Sequence, residues 1–475
     1  MKVTAIMTDR SFNLVVPLAQ GELPFATAMR TTDTTAPAAR SGAVSQLDLF
    51  RPGDVNCTTG NSTPATTIMP GARTSTMATR TTTTRTTTTG SCWSADQSTH
   101  GAPPPAAFTF TDLVQAYYDC RQAKRNKPSA LTFEQNLERN LIELHDELQA
   151  GTYRPGRSIC FVITRPKPRE VWAADFRDRI VHHLLYNAIG PRIEATFIAD
   201  SCACIPGRGT LYGARRLEAK VRSITQNWSR PAHYLKLDLA NFFVSIDKRI
   251  LRDLLARRIT APWWLHLAET ILFHDPRLGA RIHSPPGLLA KIPPHKSLFN
   301  QDEWHGLPIG NLSSQFFANV YLDALDQYVK HQIKARHYIR YVDDFILLHE
   351  DPRWLNQAQH HIEDFLQMVL AVRINPTKTI LQPVARGIDF VGQIIQPWRR
   401  TLRRRTYHEA LRRAAAIPAE DLFATANSYF GLLRQASHSH HDRTRLANLL
   451  RRRGRCIAGD LTKTFRPSHH TGDRP

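Results

Sequence analysis

Apolar positions along the chain change their spacing twice, and each change marks a different kind of structure. From Thr109 onward, Leu113, Ala116, Tyr117 and Cys120 recur at intervals of three and four, which lines one face of a helix. Leu131 to Leu148 repeats the pattern and predicts a second amphipathic helix. Short apolar, β-favouring runs then alternate with helical stretches as far as Trp398, which predicts an α+β fold. Within them, HYLKLDLANFFVSID (His233 to Asp247) predicts a strand that delivers Asp238 to its end. HYIRYVDDFILLHE predicts two strands joined by a tight turn carrying Asp343 and Asp344. GLPIGNLSSQFFANVYLDALD (Gly306 to Asp326) predicts a loop entering a helix with Phe317, Tyr321, Leu325 and Val329 as its buried stripe and Ser313 or Ser314 as its cap. Tyr407 to Arg453 predicts basic helices, interrupted at Pro418 and by the polar run Ser437 to Asp442.

Residues 1–105 lack any such periodicity. They are dominated by Thr, Ala, Pro, Ser and Gly, with no lysine between Lys2 and Lys124. Too little apolar surface is available to offset the entropy of ordering, so a disordered extension is expected. Its most biased part is Thr81 to Thr84 and Thr86 to Thr89, split by Arg85.

The chain's 475 residues are 42% hydrophobic and 22% charged, enough for a sizeable core and unlike a small disulfide scaffold. Lys and Arg total 62 against 41 acidic residues, a net charge of +21. Residues 1–105 hold eight basic and six acidic side chains, so +19 falls on the remainder, which favours a polyanionic partner such as nucleic acid. The seven cysteines are odd in number and show no paired C-x-x-C spacing, as expected of reduced thiols in a cytosol. Cys202 and Cys204 form a lone C-x-C without the second pair that zinc needs, and His438, His440 and His441, or His469 and His470, follow no ligand spacing. No apolar run approaches the roughly 20 residues of a membrane span. Asp9 and Arg10 interrupt the place where a signal peptide would be apolar, so a soluble protein without a membrane partner is expected.

Chemistry concentrates at the carboxylates. Asp238 sits among Leu237, Leu239 and Phe242, where burying a charge is costly unless a cation or hydrogen bonds compensate it. Asp343 and Asp344 repel each other, and divalent cations would relieve that repulsion. Three carboxylates from two strands could hold a pair of Mg2+ ions about 4 Å apart for in-line phosphoryl displacement, provided that Asp238 lies within about 8 Å of the other two. Oxygen donors rather than histidines suit such ions. The plainer alternative for Asp343 and Asp344 is a tight turn, where Asp is favoured.

Taken together, D-x-x-x-F-F, the glycine loop and YVDD resemble motifs A, B and C of reverse transcriptases, over roughly residues 110–455. The resemblance implies a right-hand polymerase. Its N-terminal helices and fingers would span 106–230, its palm 231–398 with a fingers insertion at 250–300, its helical thumb 399–455, and a basic tail 456–475. It implies that Asp238 and Asp343 bind both metals, that Asp344 completes the site, and that the Leu239 carbonyl is a further ligand. Phe243 matches the bulky residue that excludes a ribose 2′-hydroxyl, with Phe242 left to the core. Arg169 matches the cation that meets the triphosphate, with Lys167 and Arg177 as secondary candidates. NPTKT (Asn375 to Thr379) resembles motif D, in which Lys378 would protonate the pyrophosphate leaving group. SCACIPGR (Ser201 to Arg208) would present a Pro-Gly turn and Arg208 to the template, and Gln315 also falls on the template side. In IDFVGQI (Ile388 to Ile394), Phe390 and Gly392 would support the primer end. Arg451, Arg452, Arg453 and Arg455 would bind hybrid phosphates in a salt-dependent way. A solvated basic face is the plainer alternative for Lys167 and Arg169, an exposed turn lysine for Lys378, and a solvated helix end for the arginine run.

Where many reverse transcriptases carry a glutamine that touches the incoming nucleotide, this chain has Ile309, followed by Gly310 for close backbone approach. The I-G-N-L-S-S-Q form most closely resembles the enzymes of diversity-generating retroelements. That implies error-prone, adenine-directed cDNA synthesis from a template-repeat RNA for mutagenic retrohoming, with dNTPs, an RNA–DNA hybrid and a small basic accessory protein as partners, in the cytoplasm of a prokaryotic or phage-infected host. Group II intron, retron and phage-defence reverse transcriptases are the alternatives, although no Cys-rich or His-Asn-His segment follows the thumb and no VTG occurs. A non-catalytic RNA-binding protein of the same fold is another. About twenty residues follow the expected thumb, too few for a nuclease or ribonuclease H domain. The threonine runs fit an AAC-rich template repeat read one base out of frame, as ACA, which would place the true start later; a plain low-complexity linker fits them too.

Overall fold

The computed structural model describes residues 106–465 except 123, 125, 126, 165 and 166. The expected disordered extension, Cys57, Cys92, the threonine runs, His469, His470 and the tail from residue 466 lie outside the described residues.

Helix α1 (Phe110–Arg121) starts where the sequence supplies a reciprocal cap: the Thr109 hydroxyl accepts from the Asp112 N–H, and the Asp112 carboxylate accepts from the Thr109 N–H. Its buried face is the expected Leu113, Ala116, Tyr117 and Cys120. The second helix expected over 131–148 is two, α2 (Pro128–Glu134) and α3 (Leu137–Gln149). Asn136 leaves helical geometry between them, and Phe133, Leu141, Leu144 and Leu148 still bury one common stripe, which is why the periodicity conceals the break.

Strands β1 (Ile159–Ile163) and β2 (Arg169–Ala173) form an antiparallel hairpin, followed by α4 (Phe176–Glu194) and α5 (Thr210–Ile224). Then come β3 (His233–Asp238), the single turn α6 (Phe242–Ser245), α7 (Lys248–Ala256), α8 (Pro262–Phe273), the short β4 (Arg281–Ile282) and α9 (Pro286–Leu289). β4 pairs in parallel with β1, so the insertion completes the first sheet in the order β2-β1-β4.

Helix α10 (Leu312–Gln327) buries Phe317, Tyr321 and Leu325 as expected, and Val329 is buried just beyond it. It is enclosed on nearly every side, packing on α4 and α7. Its cap position is Asn311, whose side chain is spent on the Ala174 N–H at 3.0 Å; Ser313 and Ser314 fall inside the first turn and do not cap it.

The central sheet joins β5 (His337–Tyr341), β6 (Asp344–His349), β3 and β7 (Ile380–Pro383) in the order β5-β6-β3-β7, all antiparallel. α11 (Pro352–Val369) packs on β3 and β6, and α5 packs on β5. β3, β5 and β6 are buried on both faces, which explains why their sequences read as apolar runs rather than alternations. A third sheet holds β8 (Ile388–Phe390), β9 (Gln393–Gln396) and β10 (Arg399–Leu402). Residues 399–402, assigned by sequence to the thumb, are thus a strand paired with β9. The helices α12 (Arg404–Ala416), α13 (Ala419–Leu433) and α14 (His440–Arg452) close on a core of their own around Leu422, Phe430 and Leu446.

Candidate active site

Antiparallel pairing of β3 with β6 sets Asp238 directly opposite Asp344. Residues so paired have Cα atoms about 4.5–5.5 Å apart. The Leu239 N–H donates to the Asp343 carbonyl at 3.2 Å, tying the residue after Asp238 to the turn between β5 and β6. Asp238, Asp343 and Asp344 therefore share one pocket, as the sequence predicted.

The turn itself is unusual. Tyr341 and Asp344 pair across it, leaving Val342 and Asp343 as a two-residue loop. Val342 has φ 54°, a conformation that a β-branched residue adopts at a cost of order 1–3 kcal/mol. Arg340 holds it there: its buried guanidinium donates to the Val342 carbonyl at 3.1 Å, to Asn319 at 3.3 Å, to Ser201 at 2.9 Å and to both carboxylate oxygens of Asp326 at 2.8 and 2.7 Å.

Two of the three carboxylates are buried, Asp343 is half-buried, and their charges are incompletely compensated. Asp238 is 5% exposed and Asp344 7%. The Lys378 ammonium lies 2.5 Å from Asp238 Oδ1, and the Lys236 ammonium 2.8 Å from Asp344 Oδ2. Asp344 Oδ1 is buried without a hydrogen-bond partner. Burial, then the charges of Asp238 and Asp344, push Asp343 up to about 7 against the pull of Lys378. Burial also raises Asp344, with Lys236 opposing. Arg169, at the start of β2, is half-buried, which lowers its affinity for its proton, against the opposing charges of Asp343 and Asp238.

Residues 165–395 match the reverse transcriptase (RNA-dependent DNA polymerase) family. This stretch is a reverse transcriptase domain. Among solved structures, the chain is similar to an apo telomerase from Candida tropicalis truncated from its C-terminal domain, at 13% identity over 51% of this chain and 53% of that one, with a TM-score of 0.39. It is also similar to a telomerase from Candida albicans in complex with the TWJ fragment of telomeric RNA, at 11% identity over 68% and 57%, with a TM-score of 0.41. The chain spans a little more than half the length of these telomerase chains. No curated protein matches it.

The reverse transcriptase domain carries the expected residues in several different situations. Phe243 is half-buried and Phe242 fully so, the two rings meeting edge to face at 5.5 Å, which matches their expected division of labour. The Ile309 carbonyl accepts from the Trp172 N–H at 2.7 Å. Gly310, at φ 131°, approaches the Trp172 backbone so closely that a Cβ would sit 2.6 Å from its carbonyl oxygen. The close approach is thus made to β2, which sets the loop against the strand carrying Arg169. Gln315 is half-buried in the first turn of α10.

Other assignments are revised by geometry. Arg177 pairs with Glu147 and lies over the Tyr153 ring at 5.3 Å, so it ties α4 to α3 and to the segment that follows it. Arg208 donates to the carbonyls of Ile198 and Ser201, each at 2.8 Å, and braces the Ile205 to Arg208 turn. Phe390 is fully buried and supports the following turn from beneath. Val391 and Gly392, both with positive φ, form that turn, and Gly392 has open space around it. Of the thumb arginines, Arg453 and Arg455 bond the carbonyls of Ala414 and Ala419, while Arg451 and Arg452 are exposed.

Two residues escaped the sequence reading. Lys236 binds Asp344, donates to the Asp389 carbonyl at 2.7 Å and lies 5.9 Å above the Phe390 ring, linking the acids to the expected primer grip. Its place two residues before Asp238 on one strand, hence on the same face, was the available signal. Arg340 was the second.

The donor set fits divalent cations. It comprises carboxylate oxygens, one of them a buried oxygen without a partner, around an aspartate whose charge is suppressed by its neighbours. Among the described residues no three acids, histidines or cysteines form a ready-made metal cluster. Lys378 and Lys236 each engage one oxygen of a carboxylate, leaving Asp344 Oδ1 without a partner.

Proposed function

We propose that this chain is an RNA-templated DNA polymerase that joins deoxynucleotides to a primer 3′-hydroxyl with two Mg2+ ions, in the service of a diversity-generating retroelement. The observation that carries the polymerase reading is the meeting of Asp238, Asp343 and Asp344, two of which act electrostatically on Arg169. Asp238, Asp343, Asp344 and the Leu239 carbonyl would hold the metals, which when bound supply Lewis-acid activation of the attacking hydroxyl and of the phosphoryl oxygens. The chain's own residues do the rest. Arg169 and Lys167 draw the triphosphate toward the acids, since guanidinium and ammonium donors suit phosphate oxygens. Phe243 fills the volume that a ribose 2′-hydroxyl would need. Lys378, which lies 2.5 Å from Asp238, would lend its proton to the departing pyrophosphate, lowering the leaving-group barrier.

Ile309 supports the error-prone reading. An aliphatic side chain makes no hydrogen bonds to the incoming nucleotide, so geometry checking loosens and misincorporation rises. The proposal extends to a structured template-repeat RNA, a small basic accessory protein and a prokaryotic or phage-infected cytoplasm as its setting. Sequencing of cDNA made from a defined RNA tests it. Errors concentrated opposite adenine support the diversity-generating type. A uniform error spectrum would leave a polymerase of another type, and no primer extension with Mg2+ would leave an RNA-binding protein.

A further inference from the structure

A single nitrogen joins the acids to the end of β8. Lys236 stands on β3, two residues before Asp238, and is buried. Its ammonium lies 2.8 Å from Asp344 Oδ2, donates to the Asp389 carbonyl at 2.7 Å and sits 5.9 Å from the centre of the Phe390 ring. A charge so enclosed is costly unless it is paired and hydrogen-bonded, and these two oxygens supply that compensation. Among the described residues no other cation lies against the Asp344 carboxylate, whose Oδ1 has no partner. The place of the Asp344 side chain therefore depends on Lys236, and the place of Lys236 depends on the backbone at residue 389.

That backbone is fastened from its other side by Arg403, the residue before α12. The buried Arg403 guanidinium donates to Asp389 Oδ1 at 2.6 Å, and the Arg403 N–H donates to the Gly392 carbonyl at 3.3 Å. The Arg403 carbonyl in turn accepts from the Thr406 and Tyr407 N–H groups, at 3.0 and 3.2 Å, in the first turn of α12. Gly392, at φ 86°, has open space beside it, where the expected primer grip would meet a primer end. Bonded contacts thus run without a gap from α12 through Arg403 and Asp389 to Lys236 and Asp344. Most of them are charge-assisted and buried, so they are directional and have no water to absorb a displacement.

We infer that Lys236 is a positioning residue that couples the seating of the primer end to the placement of Asp344, so that a distorted primer terminus slows its own extension; this rests on the polymerase reading above. A well-formed terminal pair leaves the turn at 391–392 in place and Asp344 with it. A distorted pair displaces the turn, the Asp389 carbonyl moves, and the ammonium bonded to it carries the Asp344 carboxylate away from its place. Selection of the pair being formed and this check of the pair just formed are separate steps. An enzyme that misinserts readily still stalls after the mismatches that distort the terminus most.

The test is single-turnover extension by the full chain on one RNA template with two DNA primers, one ending in a matched pair and the other in guanine opposite guanine, with primer–template affinity measured alongside. The wild type should extend the matched primer faster. Lys236→Met keeps the bulk of the side chain without its hydrogen bonds. It should slow the matched primer about tenfold and the mismatched primer less than about threefold, because Asp344 is already displaced there, so the ratio of the two rates narrows. Arg403→Gln loosens the turn while leaving Lys236 and the acids unaltered, and it should narrow the ratio by a smaller factor; should Lys236→Met fail to fold, this variant decides. A merely structural role would slow both primers alike, and that outcome overturns the inference. So does a ratio that neither variant changes, a loss confined to primer–template affinity, or a wild type indifferent to the mismatch. The polymerase reading fails differently: a wild type that extends neither primer with Mg2+ sinks it, and the inference with it, whereas a wild type that extends both at equal rates sinks the inference alone.

Discussion

Asp326 and Asp344 are both buried aspartates, one on α10 and one on β6, each beside a cation, yet the protein treats their carboxylates in opposite ways. Asp326 is wholly enclosed, and both its oxygens are bonded, by the Tyr338 hydroxyl at 2.7 Å and by two nitrogens of Arg340 at 2.8 and 2.7 Å. Asp344 keeps one oxygen without a partner and shares its pocket with two further acids. The first cluster is closed, with each charge answered by a planar fork of donors. The second holds three acids against fewer immediate cations and gains by admitting positive charge. Burial alone therefore does not distinguish a structural carboxylate from a working one; the count of satisfied oxygens does. Arg340 joins the two clusters, because the guanidinium that satisfies Asp326 also holds the strained Val342 next to Asp343.

The largest effect should separate function from stability at the open cluster. Asp343→Asn removes one of the proposed metal ligands and a source of repulsion together. Primer extension should fall on the order of a thousandfold, several kcal/mol of transition-state stabilisation. Thermal unfolding of the metal-free protein should stay level or rise. A variant that loses its fold along with its activity would show that the acids are structural after all, and the contrast with Asp326 would fail.

At the closed cluster the expectation is reversed. Arg340→Met strands the Asp326 charge, and breaking a buried pair costs about 3–5 kcal/mol. Denaturant unfolding should show that loss, and the double change Arg340→Met with Asp326→Leu should recover much of it. Arg340→Lys should recover little, since an ammonium cannot reproduce a fork that reaches Asp326, Asn319, Ser201 and Val342 at once. Full stability in Arg340→Met would mean that the network contributes no net stability.

The difference between the clusters also governs what could be read from sequence. Asp238, Asp343 and Asp344 were legible because apolar strand signals flank them, so the acids stand out against the pattern. Asp326 and Arg340 were not, since an acid late in a helix and an arginine within a strand look solvated until α10 proves to be enclosed. Arg177 went the other way, basic in a promising motif yet turned toward Glu147. Helix and strand types were legible from spacing, whereas the break at Asn136 and the Asn311 cap were not, since each depends on one residue's backbone or partner.

Acidity should sharpen the comparison at intermediate size. Asp343 is raised to about 7 when folded, against about 4 unfolded, so between those values the folded state binds the extra proton. The stability it contributes is complete below pH 4 and is lost as pH rises through 7. In a chelator, wild type minus Asp343→Asn should show stability falling by about 1 kcal/mol per pH unit between about pH 5 and 7. Mg2+ should flatten that slope by favouring the ionised form. A difference that does not vary with pH would mean that Asp343 ionises normally and that its neighbours' charges are already answered.

The smallest expected effect asks how rigidly the two clusters are joined. The Ser201 side chain is completely buried and accepts one N–H of Arg340 at 2.9 Å, while the Cys202 N–H bonds the Arg340 carbonyl at 3.0 Å. Ser201→Ala leaves one guanidinium N–H without its acceptor but keeps Asp326 fully bonded, so the stability cost should be about 1–2 kcal/mol, at the lower end for a single unmade bond. Because the Val342 carbonyl is held by a different nitrogen, the acids should keep their places and primer extension should fall less than about fivefold. A loss of activity approaching that of Asp343→Asn, with stability nearly intact, would show instead that small shifts of Arg340 pass directly into the turn. The closed cluster would then be part of the catalytic machinery rather than the frame that holds it.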